Sequence, residues 1–157
     1  MKNIYIGADS AGYDYKEELK AYLAEKGYTV FDMGADHGRS GTHYPEYATA
    51  VAEGVQKDLS GSLGILVCGT GIGMSMVANK FKGIRAAVCG DTFSARMTRM
   101  HNDANVLCVG ARVIGLGLCK DIVDLFLSTD FEGGGRHEER VKMIAEAEKL
   151  GSCGCCE

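Results

Sequence analysis

Gly64-Ile65-Leu66-Val67-Cys68-Gly69-Thr70-Gly71-Ile72-Gly73-Met74-Ser75-Met76-Val77-Ala78-Asn79-Lys80 is the stretch on which the reading of this chain turns. Its first four residues form an apolar run of strand type. The alternating glycines make a tight turn, and the segment from Met74 to Lys80 predicts a helix. Glycine lets a backbone come close to a ligand, and the N–H groups of a helix start point outward. Such a turn suits an anion. Cys68 opens it, at a place where the field of the following helix favours thiolate. The plain alternative is a buried thiol closing a strand, with glycines for packing. Three alternating glycines after a cysteine, with Thr70 among them, favour a charged small molecule with a base beside it.

The same strand-then-helix unit recurs on both sides of this stretch. Strands are predicted at 3–8, 28–33, 63–67, 84–89 and 106–109, and helices at 12–26, 45–58, 74–80, 92–100, 114–127 and 137–150. Gly27 reads as a helix C-cap, and Pro45 suits a first helical turn. Residues 34–43 are polar and glycine-rich, hence a loop. Repeated βα units predict a three-layer α/β/α fold, a Rossmann-like five-stranded parallel sheet with helices on both faces. Ligands of such folds sit beyond the carboxyl ends of the strands. Asp9-Ser10, Cys68-Gly69-Thr70 and Gly110-Ala111-Arg112 follow the first, third and fifth strands. Residues 1–150 read as one domain, and residues 151–157 as a disordered, cysteine-containing tail. The triglycine Gly133-Gly134-Gly135 reads as a hinge that lets the last helix swing away toward another subunit.

Composition narrows the function. The chain has 157 residues, 46% hydrophobic and 24% charged, with a formal net charge of −4. That balance argues against nucleic acid as the main partner. An anionic ligand would need positive charge concentrated locally, and Arg112, Arg136 and Arg140 are the candidates. No apolar run approaches the roughly 20 residues that cross a bilayer, and the start lacks a signal segment, so no membrane role and a cytoplasmic location are expected. Seven cysteines, an odd number spread over an α/β pattern, do not make a disulfide framework. Cys89, Cys108 and Cys119 are expected to act as small buried hydrophobes. Cys153, Cys155 and Cys156 sit in a tail too short, and too far from histidine, to predict a metal site.

Three further clusters each allow two readings. His101-Asn102-Asp103-Ala104-Asn105 is predicted as a loop between a helix end and a strand. Its residues are ordinary turn and capping types, yet histidine is also the side chain best suited to move a proton near neutral pH. Arg136 and Arg140 share one helix face at i and i+4. They read either as solvated charges pairing with Glu139 or Glu132, or as a two-guanidinium clamp on phosphate. Asp9-Ser10-Ala11-Gly12 is explained as an N-cap. His43 and Tyr44, beside Pro45, are open in the same way.

Taken together these segments resemble the type B ribose-5-phosphate isomerases, a family that includes allose-6-phosphate isomerase and the galactose-6-phosphate isomerase subunits. The resemblance runs from about residue 2 to 149. It rests on Gly7-Ala8-Asp9, Tyr44-Pro45, Cys68 to Gly73 with Ala78-Asn79-Lys80, Gly83-Ile84-Arg85-Ala86, His101 to Val106, Gly110-Ala111-Arg112-Val113, and Gly134-Gly135-Arg136-His137 with Arg140-Val141. It implies a phosphosugar aldose–ketose isomerase, with ribose 5-phosphate and ribulose 5-phosphate the leading pair. Cys68 would be the base that moves a proton between C1 and C2. Some members use a glutamate six positions on, where this chain has Met74. Thr70 and the N–H groups of Gly69, Gly71 and Gly73 would stabilise the enediolate. His101 would open the sugar ring, with Asp9 and Thr70 as proton partners. Ser10, Tyr44 and Asn102 would contact the sugar, and Arg112, Arg136 and Arg140 would hold the phosphate. Family sites draw on two chains, so a homodimer or dimer of dimers with a shared active site is expected. The reaction needs neither metal nor redox cofactor, and none is predicted.

The chain departs from the ribose pattern in three places. Position 10 is serine where the ribose enzymes usually carry histidine, the loop 36–42 looks longer, and Gly133 adds a glycine before the clamp. These departures keep a tetrulose, allose or galactose phosphate in play as substrate. The rival from another class is a nucleotide-binding, flavodoxin-like module. It would have no need of a cysteine opening the glycine turn.

Overall fold

The computed structural model describes residues 2–37, 41 and 43–151. Among them the chain runs β1 (Asn3–Ala8), α1 (Tyr13–Glu25), β2 (Thr29–Asp32), α2 (Tyr44–Gln56), β3 (Ser62–Cys68), α3 (Ile72–Ala78), β4 (Ala86–Val88), α4 (Thr92–Asn102), β5 (Val106–Gly110), α5 (Leu116–Ser128) and α6 (Gly135–Gly151). The strands form one parallel sheet in the order β2-β1-β3-β5-β4. The fold is the three-layer α/β/α, Rossmann-like arrangement that the βα repeats predict.

The two faces of the sheet follow from period-2 alternation along the central strands. Ile65 and Val67 of β3 and Leu107 and Val109 of β5 pack with Leu19 and Leu23 of α1, Ala95 of α4, and Ile122 and Phe126 of α5. Leu66 and Cys68 of β3 and Val106 and Cys108 of β5 face the other way. They pack with Ala48, Val51 and Val55 of α2 and with Met74 and Ala78 of α3. Burying each large apolar side chain contributes about 1.5–3 kcal/mol. A one-residue slip of β3 would exchange the two sets of side chains, so both cores hold its register. Cys89, Cys108 and Cys119 are buried free thiols in these cores, as expected.

Chain direction reverses across the sheet between β1 and β3: β2 lies on one side of β1, and every later strand on the other. That switch point leaves a crevice beyond the carboxyl ends of β1 and β3. Asp9 follows β1 and Cys68 ends β3, so both lie at its lip.

Several boundaries differ from the sequence reading. β4 is shorter than 84–89 because Arg85 leaves the ladder: its N–H donates to Asn105 Oδ1 at 2.8 Å and its carbonyl accepts from Asn105 N. The helix of the glycine turn begins at Ile72, directly after Gly71, whose φ of +80° suits glycine alone. His101 and Asn102 are the last residues of α4 rather than a loop. The helix stops at Asp103, held in the left-handed region (φ 47°) by ion pairs to Arg85 and Arg99. The last helix starts two residues earlier than predicted, at Gly135. It does not swing clear of its own chain: it packs on α4, and Glu148 accepts the Gly83 N–H at 2.8 Å. The tail from 152 onward, with Cys153, Cys155 and Cys156, and most of the long loop (38–40 and Thr42) lie outside the described residues.

Candidate active site

Cys68 is the last residue of β3 and is 5% exposed. Its Sγ accepts the N–H of Gly71, the cap of α3, at 3.0 Å. The expected coupling of thiol and helix start is therefore a direct hydrogen bond. The other three described thiols receive no such donor. Burial pushes Cys89 and Cys119 up to about 11 and holds Cys108 higher still.

Backbone bonds stitch the neighbouring loops to this turn. Asp9 N donates to Val67 O at 3.3 Å, Ala111 N to Cys68 O at 2.9 Å, and Arg112 N to Gly69 O at 3.1 Å. The Arg112 side chain lies over Gly69: a Cβ there would sit 3.6 Å from its Cδ and 3.7 Å from Nη1. Asp9 Oδ1 accepts the N–H groups of Ala11 (2.9 Å) and Gly12 (3.1 Å). This is an Asx turn ahead of α1 rather than the expected N-cap, and it holds the carboxylate at the lip of the crevice. Gly12 itself caps α1 without a side-chain bond, and a Cβ on it would meet Val67 O at 2.3 Å. Ser10 lies between Asp9 and that cap. The Tyr44 ring rests on Gly73, where a Cβ would come within 2.8 Å of it.

Two N–H groups of the turn are already committed. Gly71 donates to Cys68, and Ile72 donates to Thr70 Oγ1 at 3.3 Å. Gly71 therefore serves the sulfur rather than a ligand oxygen. Gly73, in the first turn of α3, has no intrahelical acceptor for its N–H.

The remaining predicted residues lie elsewhere. His101 and Asn102 end α4, before β5 begins. Val106 pairs with Gly64 and Gly110 with Cys68, so the start of β5 is about 13 Å below the thiol, at the opposite end of the sheet. The segment after α5 returns to that same end, where Glu132 N donates to Met100 O at 2.9 Å. α6 then begins with Arg136 and Arg140, both exposed. The structure thus gathers Asp9, Ser10, Tyr44, Cys68, Gly69, Thr70, Gly71, Gly73 and Arg112 at one end of the molecule. It gathers His101, Asn102, Arg136 and Arg140 at the other.

The second end holds two residues that sequence reasoning did not join to His101. The rings of His101 and His137 stack with centroids 4.1 Å apart and planes 3° from parallel. Glu132 completes a trio whose donor atoms lie within 4.8 Å of one another. The signal available was His137 lying between Arg136 and Arg140 in the sequence. Desolvation, with the neighbouring His101 and Arg136, holds His137 below the usual histidine range.

The sequence model of the Ribose/Galactose Isomerase family matches residues 4–144. Ribose-5-phosphate isomerase B of Escherichia coli is 48% identical over 150 residues, covering 95% of this chain and 98% of that protein. D-erythrulose-4-phosphate isomerase of Pectobacterium atrosepticum is 50% identical over 135 residues, 86% of this chain and 88% of that protein. The crystal structure of ribose-5-phosphate isomerase B from Mycoplasma genitalium with bound ribulose 5-phosphate is similar over 94% of this chain and 96% of that one, with a TM-score of 0.90 and 40% identity.

Proposed function

The chain belongs to the ribose/galactose isomerase family, and from that membership we propose that it interconverts ribose 5-phosphate and ribulose 5-phosphate. It is an aldose–ketose isomerase of phosphosugars. The observation that carries the site assignment is the Cys68 turn at the sheet's switch point, with the Gly71 N–H on the sulfur and Arg112 across Gly69.

His101 opens the furanose by taking the anomeric hydroxyl proton while the ring oxygen is protonated. Asp9 and Thr70 are its proton partners. The Cys68 thiolate then removes the C2 proton of the open aldose and returns it to C1, by way of a cis-enediolate. Negative charge builds on the C1 and C2 oxygens. The Gly73 and Gly69 N–H groups and the Thr70 hydroxyl stabilise it, at about 3 kcal/mol for a well-placed donor. Tyr44, Ser10 and Asn102 hold the sugar, and Arg112, Arg136 and Arg140 hold the phosphate.

These roles need both ends of the sheet at one substrate. Residues 1–150 act as one domain in this reading. A two-fold axis between two copies brings the lower end of each against the upper end of the other, making two complete sites. Exposed apolar side chains support the pairing: Met76 on α3, Phe93 in the first turn of α4 and Val113 after β5, with Met143 and Leu150 on α6. A homodimer, or a dimer of such dimers, is the working unit. Among the described residues no helix is long and apolar enough to cross a membrane. The cytoplasm, where free thiols persist, is the proposed location.

The test is a panel of tetrose, pentose and hexose phosphates assayed for isomerisation, with wild type and His101→Asn. Ribose 5-phosphate should give the highest kcat/KM. Erythrulose 4-phosphate has its terminal oxygen esterified and no ring to open, so any turnover of it should survive His101→Asn. A preference for the tetrulose or a hexose phosphate would overturn the ribose assignment. Equal loss on cyclic and open substrates would remove the ring-opening role. If ATP raised the melting temperature and no phosphosugar did, the nucleotide-binding reading would replace this one.

A further inference from the structure

We propose that His101, Glu132 and His137 hold a divalent transition-metal ion of the zinc class, and that the bound ion switches the enzyme off by occupying His101. The binding site stands on geometry alone. The inhibition rests on the ring-opening role given to His101 above.

Three separate pieces of chain converge here: the end of α4, the segment between α5 and α6, and the first turn of α6. Both flanking points are pinned. Glu132 N–H is tied to Met100 O, and Gly134 N–H donates to Glu138 Oε2 at 2.9 Å. Among the described residues, neither imidazole makes a hydrogen bond, and the two rings stack on each other. Two imidazole nitrogens and a carboxylate oxygen are the donor set of open zinc sites, which leave a fourth position for water or substrate. A tetrahedral ion about 2.1 Å from each donor sets the donors about 3.4 Å apart. They already lie within 4.8 Å, so side-chain rotation closes the gap without moving the backbone. The stacked rings lie in nearly parallel planes, so one imidazole has to turn about its side-chain bonds before both in-plane lone pairs meet at one ion.

The arginines oppose this cation. Arg136 and Arg140 stand on the same helix, and of the three ligands only the Glu132 carboxylate offsets them. Binding of a hard ion through charge alone is therefore disfavoured. Coordination through imidazole, strongest for Cu²⁺, Zn²⁺ and Ni²⁺, selects the borderline metals. An imidazole bound to metal has no lone pair for the anomeric proton, so zinc and sugar compete for His101.

CoCl2 titrated into wild-type enzyme should give the visible bands of a tetrahedral nitrogen–oxygen site, without sulfur-to-cobalt charge transfer, and ZnCl2 should bleach them. The same bands should persist in Cys68→Ala and in a variant with the three tail cysteines changed to serine. Glu132→Gln keeps its isomerase activity and should need about tenfold or more zinc for half inhibition. His137→Asn should lose the cobalt bands while its circular dichroism stays that of wild type. Equal zinc sensitivity in wild type and Glu132→Gln, or a sulfur-to-cobalt band, would place the metal on a thiol and overturn the site. Cobalt bands at full isomerase activity would leave the site standing and overturn both the switch and the ring-opening role of His101.

Discussion

At the scale of the residue, the chemistry turns on which thiol is special. The described cysteines are all free and buried, so exposure does not separate them. Partners do: Cys68 accepts an N–H from the start of α3, while Cys89, Cys108 and Cys119 are surrounded by apolar side chains that push their thiols up. Cys68→Ala removes the proposed base and little of the core. We predict that exchange of the substrate C2 proton with deuterated solvent falls by about 10²–10⁴-fold, with the melting temperature lowered by only a few degrees. Exchange at the wild-type rate would remove Cys68 from the role. Cys68 was legible because it opens a glycine turn after an apolar run. The partnership of His101 with His137 was not, because 36 positions separate them and only the return of the chain after α5 joins them.

At the scale of the element, α1 and β2 are held together by charge. Lys16 is fully buried in α1, and its Nζ donates to both Asp32 oxygens (2.8 and 2.9 Å) and to Ala35 O (2.6 Å). Ala35 N in turn donates to Ala8 O, and Ala8 N to Gly34 O, across the end of β1, so the Lys16–Asp32 pair steadies the backbone that leads into Asp9. Partial burial pushes the Asp32 carboxyl up. The Lys16 and Lys20 ammonium groups and the Gly34 N–H outweigh it and hold the carboxyl below its usual range. A carboxyl lowered in the folded state stabilises the fold at neutral pH, and that contribution is lost as acid protonates it. Melting temperature should therefore fall as the pH drops below about 4, and Asp32→Asn should melt lower at pH 7 with a flatter acid limb. A variant curve parallel to wild type would show that the pair contributes nothing to folding. Helix periodicity made α1 legible. A lysine inside its buried face was not predicted, because a polar residue within an apolar stripe gives no sign of its partner on another element.

At the scale of the whole molecule, the two groups of residues proposed for the site lie at opposite ends of one sheet. Complementation tests this directly. Cys68→Ala and His101→Asn dimers are each inactive on ribose 5-phosphate under the shared-site reading. Mixed, dissociated and reassociated at random, they should recover about a quarter of wild-type activity, since half the dimers are mixed and each mixed dimer has one intact site. No recovery, in a mixture shown by mass to contain the mixed dimer, would mean that each chain completes its own site.

The sequence by itself determined the α/β/α architecture, the family and the loops proposed to carry the chemistry. Each of these is written locally, in alternation, in helical spacing and in glycines that permit a left-handed or crowded backbone. Only the tertiary structure decided which loops share an end of the sheet. Parallel strands send every connecting helix back to where the strands begin, so a residue closing a helix and a residue closing a strand finish at opposite poles, however near they stand along the chain.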